Sequence, residues 1–121
     1  MIRMGYKYVQ YKISSKPDVF VCIRCTINFH DPGTKSTSNL YVLPQWNQKR
    51  QTWAKDLDSN TTVCLTKEIT DNACKFSRWT MQSIINGVDK MRFAFVTRIE
   101  DSVKKHKVVG HAAVSPSQFA Q

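Results

Sequence analysis

A chain of 121 residues with 41% hydrophobic and 11% aromatic content is long enough for one modest domain and too apolar to stay disordered. Its net charge of +9 and pI near 9.6 favour an anionic partner, nucleic acid first; a basic face kept for solubility or for an acidic protein neighbour is the alternative. No run of about 18 apolar residues is present to span a membrane, and no apolar stretch follows Met1-Ile-Arg-Met-Gly5 to make a secretory signal, so no membrane partner is expected.

Tyr6 to Ile13 sets Tyr6, Tyr8 and Gln10 against Lys7, Val9 and Tyr11, the two-residue period of a strand. Ser14-Ser-Lys-Pro17-Asp18 is a turn, and Val19 to Phe29 is a long apolar strand that pairs back as a hairpin. Cys22 and Cys25 sit inside that strand. Residues three apart on a strand face opposite ways, so this CxxC is poorly placed to share a zinc. With Cys64 and Cys74 they are expected as free thiols in a reducing compartment.

His30 to Asn39 is a polar loop around Pro32-Gly33, and Leu40 to Leu43 is a short strand closed by Pro44. Gln45 to Ser59 is amphipathic and partly helical, with Trp46, Trp53 and Leu57 as its apolar residues and Asp58-Ser-Asn60 as its stop. Thr61 to Thr70 is rich in β-branched residues and predicts a strand, with Glu68 at its end. Lys75 to Asn86 has helical spacing and a glycine stop at Gly87.

At about 100° per residue, Lys75, Arg78, Gln82 and Asn86 share one narrow face of that helix. Ala73, Phe76, Met81, Ile84 and Ile85 cover most of the rest, which predicts a helix buried on most sides. A carboxylate facing a Lys/Arg/Gln row suits a phosphate chain or metal–phosphate group. A solvated stripe is the plainer alternative.

Met91 to Glu100 alternates Phe93, Phe95 and Thr97 against Ala94, Val96 and Arg98, and Lys104 to Val114 is its partner strand after the Asp101-Ser102 turn. Ser115-Pro116-Ser-Gln118 starts a helix with a capping-box pattern. The chain ends before that helix develops, as expected for a piece of something longer. The pattern predicts an α+β fold, a largely antiparallel sheet packed against one long α-helix, over residues 1–121 as a single domain or domain fragment.

Gly5-Tyr6-Lys-Tyr8, the Asp18-Val-Phe-Val-Cys-Ile-Arg24-Cys25 strand, Asn39-Leu-Tyr-Val-Leu-Pro-Gln45-Trp46 and Trp53-Ala-Lys-Asp-Leu57 follow one another in order. The Glu68…Asn72…Lys75-Phe-Ser-Arg78-Trp79 block, Phe95-Val-Thr-Arg98, His106-Lys-Val-Val-Gly110 and Pro116-Ser-Gln-Phe119 complete the series. Their order and spacing resemble the later part of the cap-binding domain in the D-subunit family of eukaryotic translation initiation factor 3, over about residues 5 to 121. That family is in turn similar in fold to the DXO/Rai1 decapping exonucleases.

In those nucleases a Glu-apolar-Asp motif on one strand and a Glu-apolar-Lys motif on the next hold divalent metals and the scissile phosphate, and a following helix contributes a Gln. The resemblance sets Asn39-Leu40-Tyr41 at the first motif and Glu68-Ile69-Thr70 at the second, with Gln82 matching the helix glutamine. Two-metal cleavage needs several carboxylate oxygens around cations about 3.5–4 Å apart. One glutamate does not supply them.

The resemblance therefore implies a non-enzymatic RNA-binding module, cytoplasmic, without cofactor or metal. Its partners would be the mRNA 5′ cap region, the other subunits of translation initiation factor 3 and the 40S small ribosomal subunit. Glu68, Lys75, Arg78 and Gln82 are the candidate RNA-binding residues, each with a structural alternative as ion-pair partner or solvated helix face. Lys104, Lys105 and Lys107 form a weaker candidate, a solvated turn or a contact to ribosomal RNA or a partner. Trp46, Trp53 and Trp79 are expected in the core rather than as cap stackers. His30, His106 and His111 lack companions for catalysis. Two other readings stand beside this one: a DXO/Rai1-like decapping or 5′-end hydrolase, and a purely structural scaffold within the factor.

Overall fold

The structure, a computed structural model, describes residues 5–45, 53–98 and 105–121. In chain order these form β1 (Gly5–Ser15), β2 (Asp18–Ile27), β3 (Phe29–His30), β4 (Thr37–Pro44), α1 (Trp53–Asp71), α2 (Ala73–Asn86), β5 (Lys90–Arg98), β6 (His106–Val114) and α3 (Pro116–Phe119).

β1 and β2 make the expected antiparallel hairpin, in register from Gly5 opposite Ile27 to Ser15 opposite Asp18, with one irregularity between Lys12 and Ser14. This ribbon is a sheet of its own. The other four strands form a second sheet in the order β3-β4-β5-β6. Its β5–β6 pair is antiparallel, but β4 runs parallel to β5, with Tyr41 opposite Phe93 and Leu43 opposite Phe95. The sheet is thus mixed rather than purely antiparallel. A parallel neighbour needs a long crossover, and α1 and α2 are that crossover.

Alternation along β5 sends Met91, Phe93 and Phe95, all with 0% exposure, to the face that the helices cover. There they meet Leu43, Trp53 and Phe76, with Tyr41, Leu65, Ile69, Trp79 and Phe119 packed around them. Phe93 lies 5.3 Å from Phe76 and 5.7 Å from Phe119, ring centroid to centroid. Each such side chain removed from water contributes about 1.5–3 kcal/mol.

Two sequence-based expectations change here. Thr61 to Thr70 is helical rather than a strand, so Glu68 stands on a helix; the expected stop at Asn60 is present, as a non-helical break (φ −146°, ψ 47°) between the two helical stretches that make up α1. In place of one long helix, the described residues show the kinked α1 of 19 residues followed by α2 of 14. β-branched threonines are accommodated because Thr66 and Thr70 donate their hydroxyls back to the Thr62 and Thr66 carbonyls, at 2.8 and 3.0 Å.

α2 is also less covered than expected. Phe76, Thr80 and Ser83 are buried, but Met81, Ile84 and Ile85 are exposed. The helix ends as predicted: Gly87 adopts the left-handed conformation (φ 63°), and the backbone N–H groups of Gly87 and Val88 close onto the Ile84 and Ser83 carbonyls. β4 starts at Thr37, earlier than the expected Leu40. The final helix has Pro116 in its first turn, but no side-chain cap bond forms at Ser115. No helix among the described residues is long and apolar enough to cross a membrane.

Candidate functional site

Glu68 is half-buried one turn before the end of α1, and Asn72, the residue that precedes α2, donates Nδ2–H to its Oε2 at 3.3 Å. Burial pushes the Glu68 carboxyl above its ordinary value; Lys75 pulls it back in part, and Asp71 adds to the upward push. The α1–α2 junction thus brings Glu68 and Lys75 within electrostatic reach, as expected, although by a helix–helix turn and not by a strand end.

Lys75 is half-buried, with its ammonium 5.2 Å from the Trp79 ring centroid. Arg78 and Gln82 continue the row along α2 and are exposed. Behind it, Trp79 stacks on Tyr41 at 4.7 Å and 20° between planes. The Tyr41 hydroxyl shares a 2.8 Å hydrogen bond with the buried Ser83 hydroxyl. The row is therefore mounted on core aromatics, and its outer members are open to a ligand.

The positions set against the nuclease motifs have structural work. Asn39 is buried, its Oδ1 accepting from the Asn28 backbone N–H at 3.3 Å, while Asn28 Oδ1 accepts from the Leu40 N–H at 3.0 Å. Tyr41 is committed to Trp79 and Ser83. Glu68-Ile69-Thr70 lies on α1, whereas the nuclease motif belongs to a strand. Among the described residues no three His, Cys, Asp or Glu side chains group as metal ligands. Cys22 is exposed and Cys25 buried, as opposite strand faces require.

Trp53 is a core residue, edge-on to Phe95 at 5.1 Å. Lys105 and Lys107 are exposed beside and on β6. Lys104 and Trp46 lie outside the described residues. A basic surface that sequence reasoning passed over is a cavity of about 680 Å³ at the root of the β1–β2 ribbon, with Tyr6, Lys7, His30 and Lys35 among its lining. No local motif marks it, because its residues come from three separate segments.

The sequence profile of the family described as eukaryotic translation initiation factor 3 subunit 7 (eIF-3) matches residues 1–121. The chain belongs to this family. It is similar to the D-2 subunit of eukaryotic translation initiation factor 3 from Drosophila willistoni, 28% identical over 124 residues, 97% of this chain and 22% of the relative. The D-1 subunit from Drosophila persimilis is 28% identical over 127 residues, 97% of this chain and 23% of the relative. The D-1 subunit from Drosophila yakuba gives 28%, 97% and 22%. The chain thus spans less than a quarter of the length of these relatives. The family's place in translation initiation, and so in protein biosynthesis, agrees with the resemblance drawn from residue order alone.

Proposed function

We propose that this chain is a non-catalytic, RNA-engaging part of a translation initiation factor 3 subunit, the later portion of a cap-binding domain. It would meet mRNA at or near the capped 5′ end, in the cytoplasm, beside the other subunits of the factor and the 40S small ribosomal subunit. The observation that carries the reading is the exposed Arg78–Gln82 row beside Lys75 on α2, in a chain of net charge +9 from a translation initiation factor family. Arg and Lys meet phosphate oxygens and Gln offers neutral hydrogen bonds, while Glu68 accepts from a hydroxyl or base edge.

Binding without turnover is favoured over hydrolysis by the donor set. At the nuclease-like positions stand Asn39 and Tyr41, both engaged in the fold, and Glu68 alone does not hold a pair of hard cations.

The test is binding of a capped, single-stranded RNA across a salt series. Lys75→Glu with Arg78→Glu should weaken binding and flatten the dependence on salt by about one unit of slope per lost phosphate contact. Unchanged affinity and slope would remove the α2 row from the site. Failure of free cap analogue to compete would favour the scaffold reading. Manganese-dependent RNA turnover abolished by Glu68→Gln would restore the enzyme.

A further inference from the structure

The two faces of the β1–β2 ribbon differ in chemistry. Directly opposed residues share a face, so Tyr6 stands with Thr26, Tyr8 with Arg24, Gln10 with Cys22 and Lys12 with Phe20. Every one of these is exposed. The other face carries Val9, Ile23, Cys25 and Ile27, all half-buried or buried, and nearer the tip the exposed Tyr11 and Val21. It is pinned to the end of α2: Lys7 Nζ donates to the Gly87 carbonyl at 3.0 Å, and the Tyr11 hydroxyl donates to that of Ile85. On the inner face Lys7 and Tyr11 are engaged by the end of α2; the outer face holds Tyr6, Tyr8, Phe20, Lys12 and Arg24.

On the outward face the cations lie against the rings. The Arg24 guanidinium is 5.0 Å from the Tyr6 centroid, and the Lys12 ammonium is 5.7 Å from that of Phe20. Tyr8 is 69% exposed, far beyond what a folding role requires. Asp18, at the tip, is neutralised by Lys12 at 3.0 Å. At the other end the ribbon opens on the root cavity, where Lys7 and Lys35 outnumber the single acid Asp89, whose Oδ2 is already taken by the Thr37 N–H at 2.8 Å.

Exposed rings on a strand, with cations beside them, match unstacked bases on a charged backbone. A duplex keeps its bases stacked inside and gives the rings nothing to hold. A protein partner docks through aliphatic and aromatic surface with few charges at its centre; this face offers no Val, Ile or Leu at its paired positions from Tyr6 to Lys12 and sets Arg24 between Tyr6 and Gln10.

We propose that the outer face of the β1–β2 ribbon is a platform for single-stranded RNA. Tyr6, Tyr8 and Phe20 stack with bases, Arg24 and Lys12 meet phosphates, and the strand leads toward the root cavity and Lys35. From Tyr6 to the level of Phe20 is six residues, about 20 Å at the antiparallel rise, room for about three splayed bases. The platform rests on the RNA-binding reading given above but uses a surface separate from the α2 row.

The experiment is fluorescence anisotropy of the full chain with a labelled oligouridylate, a labelled oligoadenylate and an RNA duplex. Tyr6→Val with Tyr8→Val, which keeps strand propensity, should weaken single-strand binding about tenfold or more and leave the salt slope unchanged. Tyr6→Phe with Tyr8→Phe keeps the rings and should bind like the parent. Lys12→Gln with Arg24→Gln should flatten the slope. Duplex binding should not respond to loss of the rings. Single-strand affinity that survives the valine pair overturns the platform alone. A parent chain that binds no RNA overturns both the platform and the RNA-binding reading, whereas loss on the ribbon with no response to Lys75→Glu and Arg78→Glu overturns the α2 row and keeps the platform.

Discussion

Lys75 lies over Trp79, one helical turn further along α2, with 5.2 Å between its ammonium and the ring centroid. The same ring stacks on Tyr41 of β4, so this half-buried cation is linked to the sheet through one aromatic. Partly solvated cation–π pairs contribute about 0.5–1 kcal/mol. Lys75→Gln is expected to lower stability by about that much in urea unfolding, and Lys75→Arg to retain it. A double-mutant cycle with Trp79→Leu that shows no coupling would mean that the ring and the cation do not interact.

Glu68 gives a pH signature whose sign follows from its raised carboxyl pKa. The folded state holds the Glu68 proton more tightly than the unfolded state, because burial penalises the charge. This contribution is complete below the ordinary value near pH 4.5 and is lost as pH rises through the higher folded value. Glu68→Gln should therefore raise the urea midpoint at pH 7, and the gain should vanish on acidification below the ordinary carboxylate range. A lower midpoint at pH 7 would show that attraction to Lys75 outweighs the cost of burial.

Alternation made the β1–β2 hairpin and the β5–β6 pair legible in the sequence, and Gly87 marked the end of α2 because few other residues adopt its conformation. Thr61 to Thr70 misled because propensity is a weak prior. Tertiary packing of Cys64, Leu65 and Ile69 on the core decides the segment, and Thr66 and Thr70 satisfy their hydroxyls within the helix. The parallel β4–β5 pairing leaves no local mark, since strands about 50 residues apart, such as those of Ser38 and Lys90, meet only through the crossover. The Lys75–Arg78–Gln82 row was visible as spacing, but its aromatic support from Tyr41 was not, being a contact across the same crossover. The outer ribbon face had its signal in Tyr6 and Tyr8; the missing step was the register that sets Arg24 beside them.

Half-buried Tyr41 and buried Ser83 form a polar pair whose members should prove non-additive. Tyr41→Phe removes the 2.8 Å partner of the fully buried Ser83 hydroxyl and also the 3.3 Å hydrogen bond to the Trp79 carbonyl. Leaving such a group unsatisfied costs about 1–3 kcal/mol. Adding Ser83→Ala to Tyr41→Phe should recover part of that loss, read as a higher denaturation midpoint for the double variant. Strictly additive losses would show that the two hydroxyls do not depend on each other.

Gly87 joins helix termination to ribbon placement. Its positive φ of 63° lies where a side chain clashes with its own backbone, and a Cβ built there would stand 3.3 Å from Lys7 Nζ. Its carbonyl is the acceptor that holds Lys7, and with it the inner face of β1. Gly87→Ala is expected to destabilise by about 1–2 kcal/mol, while Gly87→Asn, a residue that tolerates the left-handed region, should cost less. Lys7→Met separates the two roles: it leaves the helix cap intact, so amide exchange should quicken along β1 and β2 but not in the last turn of α2. Faster exchange in both places would show that the ribbon and the helix end open as one unit, and exchange unchanged in both would remove Lys7 as the tie between them.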